Sequence, residues 1–324
     1  MRTRLMAPAL LLPALLLAAC GSSDPAEPLA QRAAATKEVK HAAGTTQVPA
    51  QPRRIVTTTD QNALLPLLEL GVTPVGSAGL VGDDGATSFR RTEGFDTSRV
   101  QFTGAYGEPN LEKVAALEPD LIVGYEFDQD YYADLSGLAP TVLVQIFDRP
   151  LTEGLLQFAT VVGREDRARE LQTAYEQRIQ ALRAQLGDRT DTLSVTVIGA
   201  GDPGTFSRED TGQALGTVMD DLGVARVTSQ EADSGEEAIS LEQLGTRDAD
   251  VVLVVDYSGD GSDPGVQTLL KSPTYVRLAA TRAGQAHVVD GSATVGAAWA
   301  RMDAFLDVLE QRLVAARTDV VQEG

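Results

Sequence analysis

The chain has 324 residues, 43% of them hydrophobic, 5% aromatic and 23% charged, a globular composition with length enough for two domains. Its formal net charge of −19 repels nucleic acid and anionic membrane surfaces, which argues against a nucleic-acid function. One Cys leaves no internal disulfide, and two His with four Met are too few for a dedicated metal cage.

Residues 1–19 read as a leader rather than as part of the fold. Arg2 and Arg4 precede a short apolar run from Met6 to Leu17, broken by Pro8 and Pro13. That run is too short for a comfortable membrane span but suits a signal peptide. Leu17-Ala18-Ala19-Cys20-Gly21 resembles a bacterial lipoprotein signal, which implies that Cys20 is lipidated and becomes the mature N-terminus. The expected location is the periplasm or cell surface, anchored to the outer face of the cytoplasmic membrane. Residues 20–37 are rich in Ala, Ser, Pro and acids without periodicity, and read as a flexible tether; order is expected near Val39.

A first lobe is expected over residues 38–148. The β-branched run from Arg54 to Thr59 predicts a strand. Ala63, Leu64, Leu67, Leu68 and Leu70 predict a short helix closed by Gly71, and a second strand follows from Thr73 to Gly76. From Gly79 to Phe102 the chain is expected to be irregular, a length often tied to function. Asn110 then caps a helix carrying Leu111, Val114, Ala115 and Leu117; Pro119 ends it, and Leu121-Ile122-Val123 reads as a buried strand. Thr141 to Ile146 is a further strand.

Residues 149–188 predict a linker of two helical segments with Gly163 between them. Ala168, Leu171, Tyr175, Ile179, Leu182 and Leu186 line one face of the second segment, acids open it, and Gly187 stops it. A second lobe is expected over residues 189–324. It opens with a strand from Leu193 to Ile198 and a helix through Ala214, Val218, Met219 and Leu222, closed by Gly223. Ser240 to Val255 then echoes the Asn110 unit 130 positions on, with Asn110 matching Ser240, Glu112 matching Glu242 and Asp120 matching Asp250. Ser240 and Gln243 form a candidate capping box. A helix from Ser272-Pro273, a strand from Ala286 to Val289 and a final helix from about Ala297 to Val314 complete the chain.

At this point the residues resemble a family. "HAAGTTQVPAQPRRIV", "LLELGVTPVG", "PNLEKVAALEPDLIVG", "ISLEQLGTRDADVVLVV" and "SPTYVRLAATRAGQAHVV" are similar, in order, to segments of iron-siderophore substrate-binding lipoproteins of ABC importers, relatives of the cobalamin-binding proteins. The resemblance runs from about residue 40 to about 312. It implies an α/β fold of two doubly wound lobes joined by one long rigid helix, with ligand in the cleft between them. It implies a monomer with no intrinsic cofactor, whose partners are a ferric siderophore and a membrane permease. In the family, one glutamate on each lobe docks onto arginines of the permease; Glu112 and Glu242, at matching places in the repeat, take that role here.

Ligands of doubly wound lobes meet the loops at the carboxyl ends of strands. That rule nominates Asp60, Arg90, Arg91, Tyr106 and Tyr125 in the first lobe, and Arg208, Tyr257, Trp299 and Arg301 in the second. Arg forks suit the anionic oxygens around a chelated ferric ion, and Tyr or Trp suits its organic shell. Trp299, the single Trp, is expected at the cleft. Against an enzyme stand the lack of a G-x-S-x-G elbow and of a phosphate-binding loop, with His41 and His287 poorly placed as bases. A carboxylate-pair hydrolase stays open, as do cobalamin and haem as cargo.

Overall fold

The computed structural model describes residues 35–209, 213–227, 239–318 and 320–323. The leader, Cys20 and the tether as far as residue 34 lie outside these residues. Regular structure begins earlier than expected. Thr36–His41 pairs antiparallel with Gly44–Pro49, so Thr36 and Lys37, read as tether, belong to a strand. The hairpin buries Val39 and Val48 in the main core, a contact that a six-residue polar alternation does not reveal.

Two α/β lobes follow. The first is built on a sheet ordered Glu108–Pro109, Gln101–Ala105, Gly76–Val81, Ile55–Thr57, Leu121–Tyr125 and Thr141–Val144, with Thr87–Ser88 added beside Gly76–Val81. All pairings are parallel except those of Glu108–Pro109 and Thr87–Ser88. Ile55–Thr57 is central, and the chain winds first to one side of it and then to the other. The crevice between Ile55–Thr57 and Leu121–Tyr125 is therefore a topological switch point, where open α/β sheets receive ligands. In the second lobe Ser194–Ala200 pairs parallel with Val251–Asp256, which pairs parallel with Ala286–Asp290. Thr205–Arg208 lies antiparallel on the other side of Ser194–Ala200 and carries Ile239–Ser240. Ala225–Arg226 pairs parallel with the start of Ser194–Ala200.

The internal echo has a structural counterpart. Asp120 accepts the N–H groups of Arg53 and Arg54 at 2.8 and 2.9 Å, just ahead of Ile55–Thr57. Asp250 accepts the Ser194 N–H at 2.9 Å and its hydroxyl at 2.8 Å, at the start of Ser194–Ala200. In each lobe, then, the acid before one parallel strand holds the entry of its neighbour and so sets the register. The caps differ. Asn110 accepts from the Lys113 N–H at 2.9 Å and starts the α-helix Leu111–Ala116. Ser240 accepts from Glu242 at 3.3 Å and starts a 3₁₀ run, Leu241–Arg247, so the expected box with Gln243 is not the contact made.

The linker is two helices, Leu151–Val162 and Glu165–Leu186. Gly163 between them has φ +70°, the left-handed conformation that ends a helix cheaply only in glycine. Glu165–Leu186, with 22 residues, is about 33 Å long. Its buried Ala168, Tyr175, Ile179, Leu182 and Leu186 match the predicted stripe; Leu171 is only partly buried. Polar contacts fix it to the second lobe: Tyr175 donates to Asp221 at 2.7 Å, Arg183 to the Leu222 carbonyl at 2.9 Å, and Arg178 to Asp303 at 2.9 Å.

Several element boundaries differ from expectation. The second strand is Gly76–Val81 rather than Thr73 to Gly76, because Pro74 has no N–H to give a ladder. The segment expected to be irregular holds Thr87–Ser88 and the start of Gln101–Ala105. Asp60–Leu64 is a π-helical turn leading into Leu65–Glu69. The last long helix is Trp299–Leu313, and a short helix, Val320–Glu323, follows it. Asp250 also accepts the buried Val320 N–H at 2.8 Å. Asp250→Ala is therefore expected to lower urea-unfolding stability by about 1–3 kcal/mol for each N–H left unsatisfied. Asp120→Ala is expected to cost less, because water reaches the Arg53 and Arg54 groups.

Candidate ligand-binding cleft

The two lobes meet along a line of contacts remote from the linker in sequence. The Glu69 carboxylate, at the end of a first-lobe helix, accepts the backbone N–H groups of Trp299 and Ala300, each at 2.8 Å. These are the opening N–H groups of Trp299–Leu313, so one lobe caps a helix of the other. The Gln61 carbonyl accepts the Ala297 N–H at 3.0 Å. Arg301 donates to the Arg91 carbonyl at 2.7 Å and to the Ala293 carbonyl at 3.2 Å. Burial pushes the Glu69 carboxyl upward in spite of its two N–H donors, and pushes the Arg301 guanidinium downward.

Arg91 and Arg301, each nominated as a ligand residue, come together at this line. Arg91 holds φ +62°, an uncommon backbone for a residue with a side chain, with its carbonyl turned toward Arg301. The Nε–H groups of both are buried without a partner among the described residues. Buried guanidinium donors of this kind suit an anionic acceptor.

Arg90 has another role. It donates to both carboxylate oxygens of the buried Asp60, from Nη2 at 2.8 Å and from Nε at 2.9 Å, and its backbone N–H adds a third bond at 2.8 Å. The Asp60 hydrogen bond raises the Arg90 pKa, outweighing burial. Its guanidinium also lies 5.4 Å from the Tyr106 ring centroid. Asp60 and Arg90 form a pair whose guanidinium lies over the Tyr106 ring.

Tyr106 hydrogen-bonds through its hydroxyl to that of Tyr125. Burial is the main cause that pushes the Tyr125 phenol upward, so it stays neutral. Two residues that the strand-end rule did not nominate join them. The Phe127 ring lies 5.4 Å from Tyr125 and 4.7 Å from Phe147, and Phe147 lies 6.1 Å from Tyr125. Phe127 is 63% exposed, which only a folded structure reports; in the sequence it is one aromatic among acids.

In the second lobe Tyr257 is 40% exposed and donates to Glu209 at 2.5 Å, with Ser207 donating to the other Glu209 oxygen at 2.7 Å. Arg208 is half-buried and ends the antiparallel strand Thr205–Arg208, opposite Ile198 and so set back from the carboxyl end of Ser194–Ala200. Trp299 does not line the cleft. It is 1% exposed, and its ring packs 5.8 Å from that of Tyr175 on the linker helix. The apolar face of Trp299–Leu313 turns inward, and the ring goes with it into the main core. Glu112 and Glu242 are both exposed in the first turns of their helices.

Residues 55–293 match the Periplasmic binding protein family, most of the chain. The chain belongs to that family. Among its binding-protein relatives, the Bacillus subtilis protein named "Probable siderophore-binding lipoprotein YfiY" is 30% identical over 293 residues, covering 86% of this chain and 88% of that one. The Fe(3+)-citrate-binding protein YfmC of Bacillus subtilis is 27% identical over 288 residues, 87% of each chain. Staphylococcus aureus SirA complexed with staphyloferrin B shares the binding-protein fold at TM-score 0.72 and 24% identity, covering 87% of this chain and 99% of that one.

For this binding protein the raised Glu69 pKa has a definite consequence. The unfolded carboxyl ionises near its ordinary 4.5, whereas the buried one ionises later, so the stabilisation its protonated form confers is lost as pH rises through that interval. The melting temperature of the wild type minus that of Glu69→Gln is therefore expected to fall between about pH 4 and about pH 7, as read by scanning calorimetry.

Proposed function

We propose that this chain is an extracytoplasmic substrate-binding lipoprotein that captures a ferric siderophore and delivers it to an ABC-type importer. The observation that carries the reading is the cleft itself. Two lobes on one packed helix meet where Arg91 and Arg301 hold buried Nε–H groups with no partner among the described residues, next in sequence to Arg90, which lies over the exposed Tyr106 ring. A ferric siderophore has both parts that such a site would bind, anionic oxygens around the metal and an organic shell outside them. The family and the names of its relatives point the same way.

The linker helix is packed along its length and tied to the second lobe by Tyr175, Arg178 and Arg183, while Glu69 ties the first lobe to the same bundle. Opening in this reading is small, and capture relies on a preformed cleft with low reorganisation cost. The protein acts as a monomer and binds without turnover. Cys20 holds it at the membrane through a lipid, and Glu112 and Glu242 present one carboxylate per lobe to basic groups on the permease.

Calorimetric titration with ferric chelates tests capture: saturable binding is expected, and binding of cobalamin or haem alone would move the cargo while keeping the fold. Charge reversal at both Glu112 and Glu242 is expected to leave chelate affinity within about twofold, since both are exposed surface positions. The same double variant is expected to abolish uptake of radio-iron by cells; loss of chelate binding in it would remove the docking role. Cys20→Ala is expected to release the protein from washed membranes into the soluble fraction.

A further inference from the structure

We infer that the ligand presents aryl rings, as catecholates and phenolates do, and that Phe127 is the residue that selects for them. This deepens the capture reading and rests on it. Three consecutive residues, Glu126, Phe127 and Asp128, form a tight turn directly after Leu121–Tyr125. The two acids turn inward and are buried. Glu126 accepts the N–H groups of Ile146 and Phe147 at 2.8 and 2.6 Å. Asp128 accepts the Tyr125 N–H at 3.0 Å and the Thr58 hydroxyl at 2.6 Å. A Cβ at Gly124 would lie 2.5 Å from the Asp128 carboxylate and 2.7 Å from the Thr58 hydroxyl, so glycine is what lets the turn close.

With both neighbours anchored, Phe127 is held outward into solvent. An apolar ring displayed on a rigid turn forgoes the gain of burial, so its position calls for a partner. Phe147 lies beside it because Glu126 holds the Phe147 backbone, and Tyr125 meets it edge-on. Tyr106 extends the surface and is 46% exposed. The shelf stands at the switch-point crevice of the first lobe, where Thr58 and Asp128 join the ends of Ile55–Thr57 and Leu121–Tyr125. Arg90, which lies against the Tyr106 ring, is already paired to Asp60. This side of the cleft therefore offers ring faces and edges to a ligand. Flat aryl groups stack there, whereas the aliphatic chains of a hydroxamate or the small carboxylates of citrate gain little.

The experiment uses the detergent-solubilised full-length protein in a calorimeter. The ligands are the ferric complexes of a synthetic hexadentate tris-catecholamide and of a linear aliphatic trihydroxamate, together with ferric citrate, which is anionic without aryl rings. The tris-catecholamide is expected to bind at least about tenfold tighter than the other two. Phe127→Ala and Phe127→Leu are each expected to weaken it by roughly tenfold and to leave any binding of the others within about twofold. Unchanged circular dichroism and melting temperature are expected for both variants, given the exposure of the ring. Equal or tighter binding of the trihydroxamate or citrate would overturn the aryl assignment and leave capture standing. Full retention in Phe127→Leu would reduce the shelf to apolar bulk and overturn it as well. If none of the three complexes binds the wild type, the capture reading itself falls, and this inference with it.

Discussion

Much of this structure depends on one kind of contact, a side-chain carboxylate accepting backbone N–H groups from a distant segment. Asp120 and Asp250 hold the entries of neighbouring parallel strands. Asp248 accepts from Ala279 and Ala280. Glu126 and Asp128 build the turn that carries Phe127, and Glu69 joins one lobe to the other. A carboxylate has two oxygens and about four acceptor positions, so it can serve two N–H donors that lie outside any ladder or helix. Those donors sit at strand entries and helix starts, where the backbone has no partner of its own. A strongly acidic chain therefore uses part of its charge inside the fold, not only for solubility.

The same contact shapes the cleft. Because Asp60 accepts from both Nε and Nη2 of Arg90, that guanidinium is held over the Tyr106 ring. Because Glu69 caps Trp299–Leu313, the helix start is held against the first lobe and Arg301 falls beside Arg91. Trp299, whose own N–H Glu69 holds, is carried into the core against Tyr175. The cleft is left with the guanidinium donors of Arg91 and Arg301 and with an exposed group of aromatic rings. That pairing of donors and rings is what the proposed recognition of an aryl-bearing ferric chelate rests on.

The two lobes differ in how firmly they repeat the same plan. Asp120 and Asp250 perform equivalent jobs, while the helices before them diverge into an α-helix and a 3₁₀ run. The strand-entry bond fixes the register of the lobe and tolerates little change. The helix beside it needs only an apolar face, Val114 in one case and Leu244 in the other, and can differ in pitch.

Local periodicity carried a large share of the architecture. The stripe from Ala168 to Leu186, the glycine at 163, the Asn110 cap and the β-branched strands are each determined by neighbours within a few residues, and all stand in the fold. The repeat at 130 positions, with Asp120 and Asp250 in register, was likewise legible. Strand limits around Pro74 and the hairpin Thr36–Pro49 were less so, because ladder pairing is a contact between segments. The site was legible only as a rule about strand ends. That rule nominated Arg91, Arg301, Tyr106 and Tyr125, which stand at the lobe junction or the first-lobe crevice. It also nominated Arg90, which is paired to Asp60, and Trp299, which is buried in the core; it did not nominate Glu69, Phe127 or Phe147. What an arginine binds, and whether an aromatic faces solvent or core, depends on partners up to 231 positions away, such as Glu69 for Ala300. Elements follow from spacing along the chain, whereas the roles of charged and aromatic side chains follow from which buried group reaches them first.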